Sequence, residues 1–425
     1  MPGKARRDNL RRRLRHPTLR LDQPMNDSQT SVSPALPTAE PEDVGLSPAG
    51  LARIGVVMQR EVDSGRLPGA AMLIARGGKI AWRCNVGALR PGGPAMRDDA
   101  IFRVYSMTKP IVSVALMMLV EEGRLLISDP LAKFVPEFAD PRVGVEKDGR
   151  LELVAAERAI TIQDLLRHTS GLTYAFTGDS AVQRLYAEAP LRGQNRSSAS
   201  FVTALAALPL INQPGACWDY SHSTDVVGRV VEIVSGQRLG AFLQQRIHAP
   251  LGMNDTGFFA PAEKHHRLAE PFASDPETGL PVRLIETRTA PGFESGGSGL
   301  VSTIDDYLSF LRMLSLGGAL GGARILGRKT VAFMTADHLG PQVRIGTPAL
   351  LPPGHGFGLG FAVRREIGMA PTPGTPGEFF WGGVAGTAFW IAPEEELIAL
   401  MMSQAPGQRL YYRALFRNLV HAALA

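Results

Sequence analysis

The run from Ile111 to Val120 is almost wholly apolar, and a helix without a polar face has to be enclosed by other elements. Whatever this chain folds into is therefore built around that helix. Its start carries the chain's most reactive pattern, Ser106-Met107-Thr108-Lys109, followed by Pro110 within the first turn, where a missing N–H matters least. Residues i and i+3 share a helical face, so a hydroxyl and an amine meet one turn apart. An S-x-x-K tetrapeptide alone is weak, because most such pairs are solvated surface; at the mouth of a buried helix it becomes a nucleophile with a candidate base.

The elements on either side fall into two kinds. Ser47-Pro48 starts a helix through Leu51, Ile54, Val57, Met58 and Val62, with Ser47 as N-cap. Ala70 to Arg76, Gly77-Gly78 and Lys79 to Cys84 spell a two-residue β-hairpin. From Ser106 to about Phe259 the signals are helical, at 162–167, 200–208 and 223–234. Strands return after Leu280, and 378–384, 387–392 and 396–403 are spaced as an antiparallel meander, with an amphipathic helix over 410–423 to cover it. The expected architecture is α/β (α+β): an antiparallel sheet flanked by helices, formed from 44–105 plus 260–425, with a mostly helical domain inserted over 106–259. Residues 1–43 are expected to be a disordered basic extension and linker, the folded part beginning near Val44.

Charge excludes one class of function. The formal +5 comes from residues 1–24, which hold eight Lys or Arg against two Asp; the rest of the chain is close to neutral, so no basic surface for nucleic acid is expected. No apolar stretch approaches the roughly 20 residues of a membrane helix, and no apolar h-region follows the arginines. The expectation is a cytoplasmic protein with no membrane association, with Met25 as a second candidate start. Cys84 and Cys217 are too few for a disulfide framework and are expected to be buried free thiols. His265-His266 lacks the spacing of a helical metal site, so neither metal nor cofactor is expected.

A nucleophilic Ser106 needs a base, a proton donor for the leaving oxygen, and N–H groups for the oxyanion. Two loops supply candidates. Gln213 to Ser223 opens with Pro214-Gly215 and presents Tyr220-Ser221-His222 just before a helix. Trp381-Gly382-Gly383-Val384 puts consecutive glycines into a strand, where they let something approach the backbone closely. No G-x-S-x-G occurs; Gly296-Gly297-Ser298-Gly299-Leu300 fails at its last position, which argues against an α/β-hydrolase.

With Ser106-x-x-Lys109, Tyr220-Ser221-His222 and Trp381-Gly382-Gly383 in this order, the chain resembles the serine β-lactamase and penicillin-binding-protein superfamily. The nearest branch is that of the family VIII carboxylesterases related to class C β-lactamases. Framing stretches agree: Leu165 to Leu172, Pro250 to Met253 with Asp255-Thr256, and Gly296 to Leu300 with Ser302-Thr303. The resemblance covers about 44–425 and implies a catalytic groove between sheet and helices. It also implies an oxyanion hole from the N–H groups of Ser106 and Val384, and substrate contacts from Trp381, Gly382, Gly383 and His222.

Free tyrosine and lysine have pKa values of about 10 and 10.4, so Lys109 and Tyr220 are expected to act as a coupled base, each setting the other's proton affinity. His222 is expected to bond substrate or to cap the next helix, and His168 to hold its loop. The expected function is hydrolysis of short-chain carboxylic esters, with a small-molecule ester as the partner and the oligomeric state open. A β-lactamase, a D-amino-acid peptidase, an acyltransferase of the same fold, or an inactive binding protein are the alternatives. Trp381 stands where β-lactamases carry a cation for the antibiotic's carboxylate, which favours esters over β-lactams.

Overall fold

The computed structural model describes residues 36–191 and 196–425. The arginine-rich stretch and the first part of the linker lie outside the described residues, as do residues 192–195.

Both glycines of the Gly77-Gly78 turn have positive φ, 57° and 74°, the conformation that two-residue hairpins demand. The turn joins β1 (Gly69–Arg76) to β2 (Lys79–Gly87). The free edge of β1 pairs antiparallel with the strand Leu397–Ser403, from Ala70 opposite Ser403 to Arg76 opposite Leu397. The meander strands Ala388–Ala392 and Phe379–Gly382 follow, then two short strands, Ala362–Arg364 and His355–Phe357, completing an antiparallel sheet of seven strands. The first and last parts of the described chain thus make one sheet.

Strand alternation divides the core. Ala70, Met72 and Ile74 face one way, and pack with α1 (Pro48–Asp63) and the C-terminal helix Arg409–His421. Ala71, Leu73 and Ala75 face the other way, into the larger core that surrounds α2 (Thr108–Glu121). Every α2 residue from Thr108 to Leu119 is buried, as its missing polar face requires. Ser47 caps α1 as expected, accepting from the Gly50 N–H at 3.2 Å. Cys217 is buried and Cys84 only partly so; both are free thiols.

Two expectations need correction. Ordered pairing begins before Val44: Thr38 bridges Ile80, the Ala39 N–H bonds the Ile80 carbonyl at 3.0 Å, and Leu36 is buried. Pro- and acid-rich composition hid a strand-like edge contact that one buried leucine anchors. The stretch between α2 and Phe259 is helical at 162–166, 181–188, 198–206 and 223–235, but it also holds the antiparallel hairpin Arg142–Lys147 with Arg150–Ala155. Its signal was available, since Asp148-Gly149 sits between alternating residues and adopts φ of 51° and 73°. Among the described residues no helix is long and apolar enough to cross a membrane.

Candidate active site

Ser106 lies in the 3-10 turn Tyr105–Met107 that leads into α2. Tyr105 before it has φ of 45°, a left-handed conformation that costs energy for a non-glycine residue. It is held by its own hydroxyl, which accepts the Ile285 N–H at 2.8 Å. The turn thus presents Ser106 from a fixed backbone.

Lys109 is 1% exposed. Its Nζ donates to the Gly297 carbonyl at 2.8 Å, the Tyr174 hydroxyl at 3.2 Å and Ser106 Oγ at 3.4 Å. Three acceptors match the three N–H bonds of an ammonium. Tyr220 meets Lys109 through its ring face, with Nζ 4.5 Å from the centroid. The Tyr220 hydroxyl accepts instead from the Trp381 indole N–H at 3.4 Å. Trp381, expected to line the groove, is nearly buried and packs on Tyr220 and Phe357.

Gly297 links two opposite charges through one residue. Its carbonyl accepts from Lys109, and its N–H donates to Asp225 Oδ1 at 2.9 Å. Burial alone would raise the Asp225 carboxyl; hydrogen bonds from His222 and Ser295, with Lys109 nearby, hold it below the usual carboxylate range. A side chain at 297 would crowd Asp225 at 2.9 Å and the Tyr174 hydroxyl at 3.0 Å, displacing both from their partners. Burial and the Asp225 charge push the Tyr174 phenol well above its ordinary value, which keeps it a neutral acceptor for Lys109.

His222 stands at the N-cap of the helix Ser223–Ser235 but makes no side-chain cap bond. Its Nδ1 pairs with Asp225 Oδ2 at 3.0 Å, and its ring lies edge-on to Tyr174, 4.2 Å between centroids. His168 bonds Ser221 Oγ at 3.0 Å, tying its loop to the Tyr220 segment as expected. Burial and the Lys109 charge push His168 well below 6.5, so it stays neutral. Beneath that loop, Asp164 accepts from Arg158, Arg167 and Thr169.

The Trp381-Gly382-Gly383 glycines have separate reasons. A Cβ on Gly382 would lie 2.6 Å from the Arg413 guanidinium carbon, and one on Gly383 would lie 2.2 Å from the Val104 carbonyl oxygen. The second glycine therefore lets the strand end touch the turn that carries Ser106. Thr387 Oγ1 bonds the same Val104 oxygen at 3.3 Å. Val384 is 39% exposed, and among the described residues its N–H has no protein acceptor. A cleft of about 360 Å³ opens beside Val384, lined by Tyr105, Leu280, Val282, Leu284 and Pro406 among others.

The sequence model described as Beta-lactamase matches residues 56–423. The chain belongs to the beta-lactamase family. It is similar to Esterase EstB of Burkholderia gladioli, 33% identical over 391 residues that cover 86% of this chain and 93% of EstB. Protein Rv1367c of Mycobacterium tuberculosis is 36% identical over 357 residues, 81% of this chain and 88% of that protein. Among solved structures, EstCE1, described as a hydrolase with promiscuous acyltransferase activity, superposes with a TM-score of 0.74 at 27% identity, covering 88% of this chain and 99% of its own.

In this beta-lactamase-family chain the fold brings Ser106, Lys109, Tyr220, His222 and Trp381 into one contiguous set of contacts, with Val384 held near them through Gly383 and Val104. Tyr174, Asp225, Gly297 and Arg413 were not singled out from sequence. Gly297 had a visible signal, since it lies in a double glycine inside a framing stretch. The other three carry none, because a tyrosine, a helical aspartate and a helical arginine are ordinary residues until the fold places them.

Proposed function

We propose that the chain is a serine carboxylesterase of the family VIII kind, cleaving small carboxylic esters through an acyl-enzyme on Ser106. The reading is carried by one observation: the buried Lys109 Nζ lies 3.4 Å from Ser106 Oγ and over the Tyr220 ring. The unmatched N–H group of Val384 supports it.

In this mechanism the coupled Lys109–Tyr220 pair enters one proton short, as a Tyr220 phenolate whose ring lies against the Lys109 ammonium, and the phenolate takes the Ser106 proton as Oγ attacks the carbonyl carbon. The carbonyl electron pair moves onto oxygen, where the Ser106 and Val384 N–H groups receive it. Collapse breaks the bond to the alkoxide, which leaves as the alcohol with the proton from Tyr220. Water then repeats the sequence on the acyl-enzyme and releases the acid. The cleft beside Val384 leaves room for a substrate arm. An alcohol in place of water would make the reaction an acyl transfer; the descriptions of EstCE1 and of Acyltransferase calJ of Penicillium decumbens, 28% identical over 338 residues, favour this as a second reading.

The test pairs p-nitrophenyl esters of increasing acyl length with nitrocefin, and a phosphonate label read by mass spectrometry. Turnover of the esters, poor turnover of nitrocefin and a label on Ser106 are expected. Nitrocefin kcat/KM equal to or above that of p-nitrophenyl butyrate, or a label on another residue, would overturn the reading.

A further inference from the structure

Arg413 projects from the C-terminal helix onto the strand that carries Trp381-Gly382-Gly383. Its Nη2 donates to the Gly383 carbonyl and, at 3.1 Å, to the Thr387 carbonyl. Its Nε is buried without a protein acceptor among the described residues. The guanidinium fits only because residue 382 has no side chain. Burial lowers its pKa to about 10, which leaves it a cation at neutral pH.

A trans peptide is planar, and its C=O and N–H point in opposite directions. The carbonyl that Arg413 grips belongs to the same peptide unit as the Val384 N–H. Two consecutive glycines precede that N–H, and glycine imposes the weakest limits on φ and ψ. Left alone, the unit has the freedom to rotate; the Gly386 N–H, 3.1 Å from the same oxygen, is its other tether.

We propose that Arg413 is a positioning residue that sets the orientation of the Gly383–Val384 peptide and so aims the Val384 N–H at the developing oxyanion. This rests on the reading of Val384 as an oxyanion donor in the Ser106 reaction. Arg413 touches no reacting atom. Its effect falls on the transition state, where the oxyanion carries charge, and not on the neutral ester.

Arg413→Met tests this with three readouts: kcat and KM for p-nitrophenyl butyrate, melting temperature, and the inhibition constant of phenylboronic acid, whose tetrahedral adduct on serine mimics the oxyanion. Misaiming one oxyanion donor costs roughly a hundredfold in kcat, so a loss of that order is expected with KM within about threefold. Boronate affinity should weaken by a similar factor. Gly382→Ala should do the same by pushing the guanidinium aside, and it decides the matter should Arg413→Met fail to fold. A folded variant with wild-type kcat, or with kcat lost but boronate affinity intact, overturns the proposal. Phosphonate labelling of the wild-type protein separates the two levels: absence of a label on Ser106 sinks the serine mechanism itself, whereas a labelled Ser106 with indifferent Arg413 variants sinks only the positioning role.

Discussion

Lys109 illustrates what a single residue inherits from its surroundings. Its acceptors come from residues three, 65 and 188 positions away. Only the first was legible in the sequence, because i and i+3 spacing is local, whereas Tyr174 and Gly297 reach the ammonium through the fold. Two substitutions separate the tyrosines. Tyr220→Phe removes the proposed acid-base group and should lower kcat by roughly 10² to 10⁴-fold, the span typical of a general base. Tyr174→Phe removes one hydrogen bond to a charged group, about 1.5 to 3 kcal/mol, or roughly ten- to hundredfold in rate. Steady-state kinetics of both proteins check the order; a larger loss in Tyr174→Phe would transfer the proton-carrying role to Tyr174. Asp225 acts one step further out. Asp225→Asn keeps the shape but removes the anion opposite Lys109, and should lower both melting temperature and kcat, with Ser106 labelling slowed.

Elements come into register around the nucleophile by backbone contact as much as by side chains. The strand ending at Gly383 presses on the Val104 carbonyl, and Gly383→Ala would drive a methyl to within 2.2 Å of that oxygen. The strand end and the Ser106 turn must then part, so a loss of at least a hundredfold in kcat is expected, together with a lower melting temperature read by calorimetry. Retained activity would show that the two elements can separate without cost to the reaction. Regular elements were readable wherever one local rule dominated: the capped helix at Pro48, the diglycine hairpin, the meander. The hairpin around Asp148-Gly149 was missed because surrounding helical signals outweighed a turn dipeptide that was present. Leu36 to Ala39 was missed because its partner, Ile80, lies on another element. The W-G-G segment was readable as a site of close approach, yet what approaches it, Arg413 and Val104, comes from the last helix and from the turn before α2.

At the scale of the whole molecule, several buried histidines couple stability to pH. Burial lowers His248 and His355 to about 4 and His168 well below 6.5. Unfolded imidazoles take up protons near 6.5, so between pH 6.5 and 4 the unfolded chain binds more protons and native stability falls with acidification. Burial also raises Asp306 to about 6 and shifts Asp219 upward, and these two carboxyls oppose the trend. The melting temperature should therefore hold above pH 7 and drop across that window. Neither His248 nitrogen has a partner among the described residues, and His248→Leu should remove roughly 3 kcal/mol of the acid-induced loss; an unchanged pH profile would sink this assignment. The pairing of β1 with Leu397–Ser403 has a consequence for how the protein is made. A ribosome releases the first hairpin with one edge bare, and more than three hundred further residues must emerge before its partner strand exists. Ser47 and Gly45 likewise wait for Ala423 and Ala425. A chain cut short just after Val384 would contain every proposed catalytic residue and still lack the two inner strands, Ala388–Ala392 and Leu397–Ser403, that join the halves of its sheet, so a premature stop that late should yield aggregate, not a weakened enzyme.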